Sequence, residues 1–233
     1  MFRTIVGVAA AGLLLTGCEI STVATGETRH ETKSIELDKS EAVRVEISMA
    51  PGELDVKSGT PNLLEADFSY NVPGWKPTVD YRAGARGADL IISQPRNSAP
   101  SGKAVNTWRL NLNGQLPTDV TANLDVGEAN LELGQMNLRS VTVNVGVGEV
   151  KMDLRGEPKR DYNVQIRGGV GEATVYLPKD VGISARAAGG IGEIKAEGLE
   201  KRDGVWINPD RVNAPVTVRL DVKGGVGEIR LIR

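Results

Sequence analysis

The hydrophobic pattern along this chain is an alternation that changes parity at a recurring Gly-Glu step. The apolar residues from Val141 to Val147 are odd-numbered, whereas those from Val150 to Leu154 are even-numbered. Strand side chains alternate between two faces, so keeping the apolar set on one side through the step requires a turn or corner there. The pattern therefore predicts strands joined by corners at Gly-Glu.

The Gly-Glu step recurs at a nearly constant spacing. From Glu128 onward its glutamates are 21, 23, 21 and 35 residues apart, and the last interval contains an insert from Gly198 to Pro215. Such a period is typical of a repeat architecture. In the regular part from Trp108 onward, Gly or Pro interrupts every window of 12 residues, and apolar residues alternate nearly throughout, which indicates an all-β fold. The copies are Gly52-Glu53, Gly127-Glu128, Gly148-Glu149, Gly171-Glu172, Gly192-Glu193 and Gly227-Glu228.

Two all-β architectures fit this pattern. In an antiparallel β-sandwich of hairpins, Gly-Glu is a two-residue loop and Val147 faces Val150. In a β-solenoid, Gly-Glu is a corner, and equivalent residues of successive coils stack about 4.8 Å apart in parallel sheets. Stacked corners must copy one backbone conformation, and Gly adopts positive φ at low cost. We therefore favour the β-solenoid, with the sandwich as the alternative.

The chain begins with a targeting segment, residues 1–17. A positive start at Arg3 precedes an apolar run from Ile5 to Leu14 that is too short to span a bilayer core of about 30 Å. Residues 15–18 resemble the bacterial lipobox, which implies cleavage before Cys18 and lipid attachment to it. Cys18 is the only cysteine, so no intramolecular disulfide can form.

The mature chain divides into three parts by composition. Residues 18–39 are polar and predict an acylated cysteine with a flexible tether. His30, the only histidine, lies in this tether, where nothing positions it for catalysis or metal binding. Residues 40–107 predict irregular N-terminal β coils with a loop over 94–106. Residues 108–233 predict the regular Gly-Glu repeat solenoid.

Several runs of sequence resemble known families. The segment from Trp108 to Glu149 resembles the bacterial toast-rack family through Trp108 to Pro117, Val126 to Leu133 and Leu138 to Glu149. The later Gly-Gly-Val-Gly-Glu copies resemble candidate-adhesin β-solenoid domains and the C-terminal domain of LiaF-type envelope stress regulators. The resemblance covers roughly residues 40–233 and implies a right-handed β-helix. No catalytic motif comes with it, so no site residue is transferred.

The recurring glutamates are the most conspicuous candidate chemistry. Stacked like charges about 5 Å apart repel one another, so cations on the same side should offset them. We predict a surface ion-pair ladder, with a Ca²⁺ site as the alternative. The stacked glutamates would be Glu128, Glu149, Glu172 and Glu193. The cations would be Lys151, Lys195 and Arg230, each two residues beyond a glutamate.

The sequence offers little for catalysis or for nucleic-acid binding. It has no histidine pair, no Gly-x-Ser-x-Gly elbow and no His-Glu-x-x-His, and acylation would remove its only thiol. We therefore predict no enzymatic activity, no catalytic residue, no metal and no cofactor. A net charge of −2 argues against nucleic-acid binding, and an aromatic content of 4% argues against the aromatic-lined groove of a glycan-cleaving enzyme.

These observations predict a lipid-anchored, extracytoplasmic protein that acts by protein–protein contact, as an adhesin-like module or an envelope-stress accessory. The alternative is a module that binds envelope polysaccharide or metal. Glu19 follows the cysteine where inner-membrane sorting uses Asp, which favours the outer membrane in a two-membrane bacterium. The last strand, Glu228 to Arg233, is predicted to be an open edge for self-association or for an envelope protein.

Overall fold

A computed structural model describes residues 22–84, 86–95 and 99–233. The predicted signal segment, 1–17, and the predicted lipid attachment residue, Cys18, lie outside the described residues. In the described part, no helix has the length and apolar character needed to cross a membrane. Two short 3-10 turns, Pro73–Trp75 and Pro209–Arg211, are the helical elements of this part, and strands make up most of the rest.

The strands are numbered in chain order. They are β1 (Thr22–Ala24), β2 (Arg29–Ile35), β3 (Val43–Met49), β4 (Gly52–Ser58), β5 (Leu64–Tyr70), β6 (Thr78–Arg82), β7 (Ala88–Ser93), β8 (Ala99–Ser101), β9 (Asn106–Leu112), β10 (Thr118–Glu132), β11 (Leu138–Asp153), β12 (Tyr162–Tyr176), β13 (Gly182–Ile191), β14 (Ile194–Glu197), β15 (Glu200–Arg202), β16 (Val205–Ile207), β17 (Thr217–Val226) and β18 (Ile229–Ile232).

The central coils confirm the β-solenoid. Strands β10, β11 and β12 each run through a corner and pair in parallel, with Gly148 beside Gly127 on one side and Gly171 on the other. Val147 therefore lies beside the equivalent valines of adjacent coils, and not opposite Val150. The alternative of a hairpin sandwich is wrong, because a hairpin would pair these strands in antiparallel fashion.

The coils do not follow one another in chain order at either end of the solenoid. From one end to the other the order is β7 with β9, β3 with β4, β10, β11, β12, β17 with β18, and β13 with β14. At the N-terminal end the chain forms the inner coil, β3 with β4, before the outermost coil, β7 with β9. At the C-terminal end it forms the outermost coil, β13 with β14, first and then returns to place β17 and β18 inside it. The insert at the C-terminal end forms the antiparallel pair β15 and β16, and β16 lies on the edge of β13.

This order corrects the predicted position of the C-terminal segment. Strand β18 lies between β12 and β14 and pairs in parallel with both, so Glu228 to Arg233 is an internal strand and not an edge. The burial of Ile229 and Leu231 at 4% and 0% exposure shows why: both side chains pack into the core that the neighbouring coils share. The free edge of this sheet at the C-terminal end belongs to β14.

The N-terminal region also differs from its prediction. Residues 29–35, assigned to the tether, form β2, which pairs in antiparallel fashion with β5. The tether prediction is therefore wrong for this segment. Most side chains of β2 are exposed, and the strand is held by backbone hydrogen bonds to β5, so its sequence shows no apolar alternation from which a strand could be predicted. The predicted boundary between residues 107 and 108 falls inside β9.

The core lies between the two halves of the coils. Alternate residues are buried on both sides of each corner, as the parity pattern requires, with Val141 to Val145 on one side and Val150 to Leu154 on the other. At the N-terminal end, the ring of Phe68 packs edge-on against Trp108 at 5.3 Å between centroids. The indole Nε1 of Trp108 donates a hydrogen bond to Oδ1 of Asn106 at 3.0 Å.

Candidate contact surface at the glycine corners

The corners are held by glycines with positive φ. Gly127, Gly148, Gly171, Gly227 and Gly192 have φ between 135° and 144°. From Gly127 onward, a Cβ on any of them would lie within 1.7 to 1.9 Å of a carbonyl oxygen of the equivalent glycine in an adjacent coil. No side chain fits such a contact, so the glycine identity follows from both the dihedral angle and the close approach of the coils.

The residue before each corner glycine is a β-branched aliphatic that faces solvent. We call this set the aliphatic strip. Exposures range from 44% to 71%, which is unusual for large apolar side chains placed side by side. In stacking order the strip is Val126, Val147, Val170, Val226 and Ile191.

The strip was missed in the sequence because Val147 and Val226 continue the parity of the inward-facing residues. The chain already turns one residue earlier, at Gly146, where a Cβ would lie 2.4 Å from the carbonyl oxygen of Asp125. The corner therefore spans Gly146 to Glu149, and Val147 is carried outside. In the later copies, a second glycine two residues before the corner glycine is the sequence feature that could have indicated this wider corner.

The recurring glutamates stack beside the strip, as predicted, and we call them the glutamate column. Their order differs from the prediction at one place, because the coil of β17 and β18 lies inside that of β13 and β14. Glu228 consequently stands between Glu172 and Glu193. In stacking order the column is Glu53, Glu128, Glu149, Glu172, Glu228 and Glu193.

The predicted cations pair with the column. Lys151 Nζ lies 3.3 Å from Glu149 Oε1, and Lys195 Nζ lies 3.2 Å from Glu193 Oε2 and 3.0 Å from Glu228 Oε1. Arg230 donates from Nε and Nη2 to the two carboxylate oxygens of Glu228 at 2.6 and 3.0 Å. Hydrogen bonds from Arg230, followed by those from Lys195, lower the pKa of Glu228 to about 2.

Pairing along the column is uneven. Within the residues that the structure describes, Glu128 and Glu172 have no cation within the 4.0 Å of an ion pair, whereas Glu228 has two. Glu53 instead accepts a hydrogen bond from the Thr107 hydroxyl at 3.4 Å. The middle of the column therefore offers two carboxylates that no cation holds in a close ion pair, next to exposed aliphatic side chains, although the charge of Arg230 still acts on Glu172.

A small apolar cavity lies beneath the corners of the later coils. The inward position before the corner is filled by Met49, Leu124 and Val145 in three adjacent coils, but by glycine at the equivalent positions Gly168 and Gly224. The space left is about 60 Å³, with Val150, Ile166, Val222 and Ile229 among its lining residues. The cavity could not be predicted from the sequence, because Gly168 and Gly224 directly precede the glycines of the corner motif and look like part of it.

The remaining predicted residues have no common site. His30 lies on the exposed face of β2, where its Nδ1 is 2.9 Å from the hydroxyl oxygen of Ser69. Within the described ranges, no three His, Cys, Asp or Glu side chains are arranged to hold a metal ion. The surface described above thus offers an apolar ridge flanked by carboxylates, which is an arrangement suited to contact with another molecule.

Comparisons with known families and structures agree with this architecture. The profile of the N-terminal domain of toast-rack proteins matches residues 24–176, about two thirds of the chain. The profile of the C-terminal domain of LiaF, described as a cell wall-active antibiotics response protein, matches residues 125–231. No curated protein sequence matches the chain.

A crystal structure of a candidate cell adhesion protein from Clostridium sporogenes is similar over most of the chain. It shares 31% identity, with a TM-score of 0.85, and the match covers 88% of this chain and 99% of that one. A candidate adhesin from Bacteroides fragilis is 12% identical, with a TM-score of 0.34 and coverage of 90% and 100%. A candidate lipid-binding protein from Parabacteroides distasonis is 10% identical, with a TM-score of 0.30 and coverage of 91% and 100%.

Proposed function

The chain belongs to the toast-rack family, and from this premise we propose that it is a lipid-anchored protein of the cell envelope that acts through protein–protein contact. The single observation that carries the proposal is the aliphatic strip. Exposing a continuous row of β-branched side chains to water is unfavourable in a free protein and becomes favourable when a partner covers it. The description of the Clostridium sporogenes protein as a candidate adhesion protein supports the same class of function.

The chemistry of the surface defines the partner. Apolar side chains of a partner would complement the aliphatic strip, and lysine or arginine side chains of the partner would complement the carboxylates of Glu128 and Glu172. Electrostatic complementarity of this kind speeds association and selects among partners more than it raises affinity. We therefore expect a partner with an apolar ridge flanked by basic residues, and binding that weakens as salt concentration rises.

The anchor is the second part of the proposal. Strand β1 begins at Thr22, four residues after Cys18, and pairs with β8 in the segment that joins β7 to β9. An extended chain covers about 3.3 to 3.6 Å per residue, so a lipid on Cys18 would hold this end of the solenoid within about 15 Å of the membrane. Several acyl chains on one residue bind a bilayer far more firmly than one chain does.

The experiment that tests this proposal is chemical crosslinking in intact cells, followed by mass spectrometry. It compares the native protein with a Cys18→Ala form and with a strip variant, Val147→Ser combined with Val170→Ser. The matched control is Thr142→Ser combined with Gln165→Ser, on the outer face of the same two strands. We expect one envelope protein to be captured by the native protein and the control, and lost in the other two.

Two results would contradict the proposal. Equal capture by the strip variant and the control would show that the strip is not the contact surface. Equal capture by the Cys18→Ala form would show that the lipid anchor is not required. Thermal melting of each variant distinguishes a lost contact from a lost fold.

A further inference from the structure

Of the strands that form the two end coils of the described solenoid, β14 is the one on which no further strand lies. At the N-terminal end, β6 closes the edge of β7 and β5 closes the edge of β9, each in antiparallel fashion. At the C-terminal end, β16 closes the edge of β13 at Ser184 and Ala185. Over residues 22–84, 86–95 and 99–233, β14 pairs with β18 alone.

The direction of the backbone groups on this edge follows from two hydrogen bonds. The carbonyl oxygens of Glu193 and Glu197 accept from the backbone N–H groups of Ile229 and Arg233, at 2.9 and 3.1 Å. In a parallel ladder alternate residues point to the same neighbour. Ile194 and Ala196 therefore direct their N–H and C=O groups away from β18, to the open side.

The side chains at the edge have two different environments. Ile194 and Ala196 are partly buried and pack against the end of the core. Lys195 and Glu197 are exposed on the outer face of the sheet. The edge thus presents two backbone pairing residues and a partly uncovered apolar end of the core. It also carries one charge of each sign, and Lys195 is in addition ion-paired with Glu193 and Glu228 of its own chain.

We propose that β14 pairs in antiparallel fashion with β14 of a second copy, about a two-fold axis at Ala196. In this register the two Ala196 residues exchange both backbone hydrogen bonds, and Ile194 lies opposite Gly198. Lys195 of each copy lies opposite Glu197 of the other, so the axis generates two ion pairs on the outer face. Opposite charges in directly opposed positions stabilise a strand pair.

The competing register is less favourable. Moving the axis by one residue, to Lys195, also aligns the outward-pointing backbone groups, but it places the two lysines directly opposite each other. Like charges in that position are destabilising. A shift that aligned Ile194 with a charged residue would put an apolar side chain on the outer face. The charge order of this edge therefore selects the register about Ala196.

This inference rests on the proposed contact function and names a second copy as a partner. Thr22 pairs with β8, in the segment that joins β7 to β9. The coil of β14 lies six strand spacings, or roughly 29 Å, from the coil of β7 and β9. End-to-end pairing would place the two anchors at opposite ends of the dimer. Such a dimer suits contact between two anchored surfaces.

The contact is small, because β14 has 4 residues. Interfaces well below about 1,200 Å² are typical of weak and transient association. Many copies on one surface would raise the apparent affinity without any further contact. The test should therefore use a multivalent display.

The experiment couples the mature chain, residues 18–233, to maleimide lipids in vesicles through Cys18, the only cysteine. Vesicle aggregation is followed by light scattering. We expect the native protein to aggregate vesicles, and Lys195→Glu or Glu197→Lys alone to slow aggregation at least about tenfold through like-charge opposition. Mixing the two kinds of variant vesicles should restore aggregation, because each charge then faces its opposite.

The matched control is Lys151→Glu, which removes the ion pair with Glu149 in a central coil and leaves the edge unchanged. It should aggregate vesicles like the native protein. The proposal is overturned if native vesicles do not aggregate, if either edge variant aggregates normally, or if the mixture stays dispersed although both variants melt like the native protein. If the crosslinking experiment captures another envelope protein but the native vesicles do not aggregate, self-pairing through β14 is wrong and the proposed contact function is still supported.

Discussion

At the scale of single residues, glycine serves two different purposes in this chain. Gly171 has φ of +138°, and a Cβ there would lie 1.7 Å from the carbonyl oxygen of Gly148. Gly168, three residues earlier, has ordinary φ, and a Cβ there meets nothing within 4 Å. The first glycine is required by the corner, whereas the second leaves part of the core unfilled.

This difference predicts opposite effects of the same substitution. Gly171→Ala should lower the free energy of unfolding by more than about 3 kcal/mol, because both the dihedral angle and the neighbouring coil oppose a Cβ. Gly168→Ala should raise it by about 0.5 to 1 kcal/mol, because it restricts the unfolded chain and adds no strain. Denaturant unfolding of both variants checks this, and a destabilised Gly168→Ala would contradict the described cavity.

The paired carboxylate of Glu228 predicts a pH effect. Arg230 and Lys195 lower its pKa from 4.5 to about 2, so its stabilisation is present above pH 4.5 and is lost as the pH falls toward 2. Glu228→Gln should therefore melt at a lower temperature than the native protein at pH 7, and the difference should disappear near pH 2.

Glu128→Gln is the control for that measurement, because no described cation pairs with Glu128. It should show a smaller change in melting temperature at pH 7 than Glu228→Gln. A melting temperature of Glu228→Gln that differs from the native value by the same amount at pH 7 and pH 2 would exclude the ion pairs as its cause.

At the scale of strands, the main finding is the order of the coils. The parity change at Gly-Glu and the period of 21 to 23 residues predicted parallel coils with stacked corners, and both are present. The same Gly-Glu motif occurs at Gly192-Glu193 and at Gly227-Glu228. The residues of the motif alone therefore did not indicate which of these two coils packs on β12. The hairpin of β15 and β16 covers part of the outer edge of β13, on the side opposite β17, and the sequence indicates this segment only as an insert.

The strand β2 and the aliphatic strip show a second limit of sequence reasoning. Arg29–Ile35 carries no apolar alternation, since it is held by backbone pairing with β5, and backbone pairing leaves no signal in the side chains. Val147 and Val226 follow the parity of core residues but lie outside a wider corner. The alternation of apolar residues thus predicted the core correctly, but it did not predict the edge strand β2 or the exposed side chains at the corners.

The internal position of β18 makes a prediction at this scale. Deleting residues 228–233 should open a gap between β12 and β14 and remove the buried side chains of Ile229 and Leu231. Loss of buried aliphatic residues of this size costs about 2 to 5 kcal/mol each. The truncated protein should unfold at a much lower temperature, or fail to fold.

Calorimetry and limited proteolysis measure this effect. Deleting residues 200–207, the hairpin on the edge of β13, with a short glycine linker in their place, is the control. Because β15 and β16 are exposed or partly exposed, this deletion should cost less than removal of β18. The opposite ranking would contradict the coil order.

At the scale of the whole molecule, the solenoid brings together features that are far apart in the sequence. Residues 126 to 226 contribute to one aliphatic strip, and the glutamate column follows beside it from Glu53 to Glu193. Strand β1, which begins four residues after the predicted anchor, pairs with the segment that joins β7 to β9, and the open edge of β14 lies in the coil at the other end of the stack. In the proposed lipid-anchored protein, this separation leaves both the long surface and the far end accessible to partners.

The contact account is tested most directly by photo-crosslinking from single positions in intact cells. A photoreactive residue in place of Val170, on the strip, is compared with one in place of Gln165, which is exposed on the outer face of the same strand. The account predicts that position 170 captures one specific envelope protein and that position 165 does not. Equal capture from both positions, or capture from neither while the protein is folded and anchored, would contradict it.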